Sequence, residues 1–141
     1  MADSAKTLPT DADVSAFVAA VKSPVRRRDA ETLLEIMGRV TGLPPVMWGP
    51  SIIGFGEYRI RYASGREGVM AAAGFSPRST SSTVYLADGC ERHADLLAGL
   101  GPHTTGASCL YLKDLSTVDL AVLEELIAAS YAAVTAPGFG S

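Results

Sequence analysis

Apolar and polar positions change period twice along the chain, and the changes mark out its elements. Val14, Phe17, Val18 and Val21 recur at helical spacing, and Thr10 with Asp13 ahead of them has the spacing of a capping box. Ser23-Pro24 suits the N-cap and first position of a second helix, with Ala30, Leu33, Leu34 and Met37 as its inner stripe. Glu35 precedes Arg39 by one helical turn, a favourable ion-pair order. Gly42 fits the C-terminal cap, and Pro44-Pro45 forbids continuation.

The period then falls to two. In the second half of 51–62, Tyr58, Ile60 and Tyr62 share one strand face, while Glu57, Arg59 and Arg61 share the other. Residues 63–68, with Gly65 and Gly68, predict a hairpin turn, and 69–75 and 83–87 predict the next two strands around a loop at 76–82. Connections this short favour an antiparallel meander. Helical spacing returns at Leu96, Leu97 and Leu100 behind an Asp88–Glu91 capping box, and ends at Gly101-Pro102. A fourth strand is expected at 108–113. A last helix follows, with Ser116 and Asp119 as capping box and Leu115 and Leu120 as hydrophobic staple. Its inner face is Leu120, Leu123, Ile127, Tyr131 and Val134. The order ααβββαβα, with adjacent strands in the middle, predicts one α+β domain over 10–135 with flexible tails at 1–9 and 136–141.

Composition narrows the class. The chain has 141 residues, 48% of them hydrophobic and 19% charged, which suits one domain with a real core. A net charge of −3 argues against a nucleic-acid binder, and the early apolar run at 16–21 is too short for a membrane span. Two cysteines, Cys90 and Cys109, frame no disulfide scaffold, so a soluble cytoplasmic protein is expected.

Catalytic signatures are missing: there is no Walker loop, nucleophile elbow, H-E-x-x-H or C-x-x-C. Gly54-Phe55-Gly56 lacks the third glycine of a dinucleotide fingerprint and reads better as a strand where another group approaches closely. His103 and Cys109 supply too few soft ligands for zinc, and Cys109 beside Leu110 reads as a small buried hydrophobe. Glu31 and Glu35, one turn apart, form a candidate open site for a hard or borderline cation, with Asp29 partly round the helix and Arg26, Arg27, Arg28 and Arg39 opposing it. A second constellation is aromatic and cationic. Trp48 and Tyr85 are its candidate wall, with Arg61, Arg78 and His103 as anchors for an anion.

Three strings carry a family resemblance: Met47-Trp48-Gly49-Pro50-Ser51-Ile52-Ile53-Gly54-Phe55-Gly56, Tyr62-Ala63-Ser64-Gly65-Arg66-Glu67-Gly68, and Gly74-Phe75-Ser76-Pro77-Arg78. With Leu100-Gly101, His103, Gly106 and Ser108-Cys109-Leu110-Tyr111, they resemble the bacterial YdhG-like family from about Val14 to Ser130. The resemblance implies a small cytoplasmic α+β domain. For some members it also implies a frataxin-like iron chaperone that carries ferrous iron weakly on surface carboxylates to iron–sulfur or haem assembly proteins. The chain departs from the family pattern at Ile60, Val69-Met70, Ser79, Pro102, Thr104 and Ala107, and so lacks a strongly basic loop around His103. The first functional expectation is therefore a non-enzymatic carrier of exchangeable Fe2+ on Glu31 and Glu35. The alternative is a binding domain for a small anionic metabolite.

Overall fold

Ser23 opens the longest helix as its sequence predicts: its hydroxyl accepts the Arg26 N–H at 3.2 Å, and Pro24 occupies the first turn. This helix, α2 (Pro24–Thr41), ends on Gly42, whose φ of +69° is the left-handed conformation that glycine adopts without strain. The computed structural model describes residues 8–61, 64, 65, 67–137 and 139. The expected strand end at Tyr62, turn residues Ala63 and Arg66, and most of both tails lie outside these. Ahead of α2 lies α1 (Val14–Ala19), capped by Asp13, which accepts the Ala16 N–H; Thr10 instead accepts from Ala12.

Six strands follow: β1 (Val46–Trp48), β2 (Ile52–Arg61), β3 (Glu67–Pro77), β4 (Ser82–Tyr85), β5 (Thr104–Thr105) and β6 (Cys109–Leu112). They form one antiparallel sheet in the order β1-β2-β3-β4-β6-β5. The α+β architecture is as expected, with β1 and β5 added and β2 and β3 longer. Between β4 and β5, a one-turn 3-10 helix (Cys90–His93) leads into α3 (Ala94–Ala98). The capping box expected at Asp88 is absent, because that carboxylate is turned inward to His93 and Ser130.

The last helix, α4 (Leu120–Val134), is capped by Asp119, which accepts from Ala121 and Val122. Ser116 falls in a preceding 3-10 turn and bonds Asp114 instead. The start at Leu120 shifts the staple: Leu120 is exposed, while Val118 and Leu123 pack on the core.

One face of the sheet carries Ile53, Phe55, Phe75, Val84, Leu110 and Leu112. It buries them against Leu33, Ile36 and Met37 of α2 and Leu123, Leu126 and Ile127 of α4. A polar network pins α2 to this layer. Arg26 donates to Ser82 Oγ at 2.9 Å and to the Leu112 carbonyl at 3.2 Å. Asp29 takes bonds from Arg28 and from the Leu115 N–H. The ends of the chain also pack. Leu8, Pro9 and Thr10 run along β1, and Phe139 meets Tyr58 edge-on at 5.4 Å.

Candidate functional site

Strand alternation sends the residues between the core positions to the opposite face of the sheet, away from the helices. There Val46, Gly54, Gly74, Tyr85 and Cys109 stand in one row across five-strand pairing, with the two glycines side by side. Neither glycine contributes a side chain, so the row has a gap. Trp48 fills half of it: a β-carbon on Gly54 would lie 2.5 Å from Trp48 Cδ1, 2.7 Å from Nε1 and 2.6 Å from the Ala71 methyl. The indole therefore rests its nitrogen edge over Gly54, and it is 2% exposed although it is outside the main core.

The other half stays open, as a cavity of about 310 Å3. Its floor is Ala71 and Gly74; Trp48, Tyr58 and Tyr85 supply aromatic wall, and Ile52, Ile60 and Met70 supply aliphatic wall. Ala87 and Ser108 close the end beside β6. Gly56, with φ +67°, makes this possible within β2. Its missing side chain would point to Leu43 and Tyr131 on the helix side, and the strand then returns Tyr58 and Ile60 to the open face. None of the described residues lining this cavity is charged.

Trp48 and Tyr85 are thus brought together as the expected wall. Two of the expected cations, Arg78 and His103, are not brought to it. Arg78 lines a separate hollow with Lys22 and Ser23 beside the start of α2. His103 lines a third, of about 410 Å3, with Thr80, Lys113 and Asp114. That hollow is larger, but two of its titratable groups are already engaged. Asp114 accepts from Ser116 and Arg28, and these contacts pull its carboxyl down to about 2. The His103 Nδ1–H donates to the Gly101 carbonyl at 2.7 Å. Arg61 ends β2, and its side chain lies outside the described residues.

Glu31 and Glu35 both lie exposed on α2. Asp29, by contrast, is fully buried and committed to the α2 network, so it adds no ligand to them. The expected Glu35–Arg39 pairing is displaced, since Arg39 reaches Glu124 of α4 at 2.7 Å. That contact raises the guanidinium and lowers the Glu124 carboxyl. Among the described residues no three His, Cys, Asp or Glu side chains gather as a metal site.

The buried thiol is Cys90 rather than the expected Cys109. Cys90 is the core thiol, its pKa pushed up by burial, and it donates to the Cys109 carbonyl at 3.5 Å, whereas Cys109 itself is half-buried on the open side. No hydrogen bond joins Cys109 to His103 among the described residues.

Sequence reasoning missed one constellation altogether. The buried Asp88 carboxylate accepts His93 Nε2–H at 2.9 Å and Ser130 Oγ–H at 2.7 Å, tying the 3-10 turn to α4. The serine bonds the carboxylate rather than the imidazole, so this is a structural tie and not a nucleophile with its base. It was hidden by the separation of its members along the chain. The cavity's own signal was partly visible, in the Tyr58–Ile60 face and in the glycines at 54 and 74.

No protein-family model, curated sequence or solved structure matches this chain, so the resemblance to the YdhG-like family rests on the motifs quoted above.

Proposed function

We propose that this protein is a non-enzymatic binding domain that takes a small organic molecule into the cavity between Trp48 and Tyr85. The observation that supports it is the enclosure: three aromatic side chains and a bare glycine floor, drawn from adjacent strands of one rigid sheet, surround about 310 Å3. That volume falls at the lower end of known ligand sites, which are mostly apolar with few polar groups. The cavity's polar groups are an indole, two phenols and one serine hydroxyl, a set suited to holding a ligand rather than to acid–base chemistry. Anion binding has less support here, because Arg78 and His103 belong to separate hollows. Ferrous-iron carriage has two exposed carboxylates, Glu31 and Glu35, as its support.

The three readings separate in one series of NMR titrations on the isotope-labelled full chain. Indole, benzoate and anaerobic ferrous iron are added in turn. Saturable shifts from indole at Trp48, Ile60, Met70 and Tyr85 are expected. Benzoate shifts centred on Arg78 or His103, without any indole response, would favour the anion reading. Broadening confined to Glu31 and Glu35, again without an indole response, would favour iron.

A further inference from the structure

The indole N–H of Trp48 has no hydrogen-bond acceptor among the described residues, although the side chain is 2% exposed. Every fully buried side-chain nitrogen and oxygen among those residues has a partner, so this unpaired N–H must still meet solvent. The cavity is the opening that the indole lines, and its nitrogen edge lies over Gly54, beside the Gly74 floor. An indole nitrogen only donates, so its complement has to be an acceptor. Tyr85 and Ser108 also line the cavity, and their hydroxyls have no hydrogen bond among the described residues. Trp48 and Tyr85 likewise have no aromatic ring packed on them among the described residues, whereas Tyr58 has Phe139.

We infer that the cavity selects a planar, uncharged one- or two-ring ligand carrying a hydrogen-bond acceptor that Trp48 Nε1–H engages. This rests on the binding reading proposed above and names its ligand class. Planarity follows from Tyr85, half-buried and without a ring partner among the described residues, whose face a flat ligand covers in offset or edge geometry while Trp48 offers only its N–H edge. Neutrality follows from the lining: a charged ligand would lose its hydration here and meet no opposite charge among the described residues. The acceptor follows from the indole, since an apolar ligand filling the cavity would strip water from an N–H and give it nothing in return.

Trp48 is the only tryptophan, so its indole N–H gives a single cross-peak in an 15N-labelled sample. Three uncharged probes at neutral pH isolate the terms: quinoline is planar with an acceptor, naphthalene is planar without one, and 2-adamantanone has an acceptor but is globular. Quinoline is expected to bind about five-fold more tightly than naphthalene, within the usual net worth of one hydrogen bond. It should also move the indole proton downfield, which naphthalene should not do. Equal affinities for quinoline and naphthalene would overturn the acceptor while leaving a binding cavity in place. Binding of 2-adamantanone as tight as quinoline would overturn planarity. If none of the three binds, the cavity reading falls with the inference. Ser108→Ala, which keeps the indole and the sheet, should retain most of the quinoline preference; its complete loss there would assign the acceptor contact to Ser108 and overturn the role of Trp48.

Discussion

The carboxylate of Asp29, fully buried near the start of α2, accepts the backbone N–H of Leu115 at 3.1 Å across 86 residues of sequence. The same carboxylate faces Arg26 at 3.7 Å and Arg28 at 2.7 Å, so one side chain joins the first helix turns to the turn after β6. Asp29→Ala leaves the buried Arg26 without its countercharge and the Leu115 N–H without an acceptor. A loss of about 3–5 kcal/mol is expected in urea unfolding, as for one partner removed from a buried pair. A loss under 1 kcal/mol would show that water replaces the carboxylate.

Gly54 is constrained by its neighbour rather than by its own backbone. In Gly54→Ala the new methyl meets the Trp48 ring at 2.5 Å and the Ala71 methyl at 2.6 Å. Overpacking of this kind costs about 1–3 kcal/mol. In a Trp48→Leu background the same change should cost less, because the smaller side chain can withdraw. Additive costs in the double-mutant cycle would mean that the indole does not rest on Gly54.

Asp114 carries a pH signature. Its carboxyl is held down to about 2, first by the Ser116 hydroxyl and backbone N–H and then by Arg28, from an ordinary value of 3.8. A folded-state value below the unfolded one means stability that is present above 3.8 and is lost as pH falls towards 2. Asp114→Asn should flatten the stability profile in that interval and change it little near neutrality in slope. An unchanged acid limb in the variant would assign the effect to other carboxylates.

Ser130 offers a probe of the α4 attachment. Ser130→Ala removes the donor to Asp88 Oδ1 inside the protein and leaves the His93 contact. A loss of about 1–3 kcal/mol is expected from the unsatisfied buried oxygen. Amide exchange should quicken in the segment from Cys90 to Ala98 more than in the sheet. Uniform quickening would instead mean that this tie is part of global unfolding.

Local signals in the sequence located most of the elements. Ser23, Pro24 and Gly42 bound α2 because capping is decided by a few adjacent residues. The strands β1 and β5 were not legible, since segments this short owe their conformation to their sheet neighbours. The candidate site divides in the same way. Trp48 and Tyr85 could be read as an aromatic wall, but their distance from Arg78 and His103 depends on register across four strands, which residue types alone do not encode. The buried Arg26 and Asp29 were misleading for a related reason. Charge on a helix reads as solvent-facing until a distant carbonyl and hydroxyl, here Leu112 and Ser82, are known to receive it.

The segment beside β1 bears on how the molecule behaves in a crowd. A sheet with a long bare border is a template for strand addition by other chains, and proteins guard such borders with short strands, prolines or covering loops. Here the Thr10 N–H donates to Met47 of β1, the Leu8 carbonyl accepts from Gly49 just after it, and Pro9 between them has no N–H to offer outward. The opposite border is β5, only Thr104–Thr105. Stripping residues 8–10 would expose β1 and should promote self-association through the sheet, visible as light scattering that rises with concentration more steeply than for the full chain, long before any loss of helix signal.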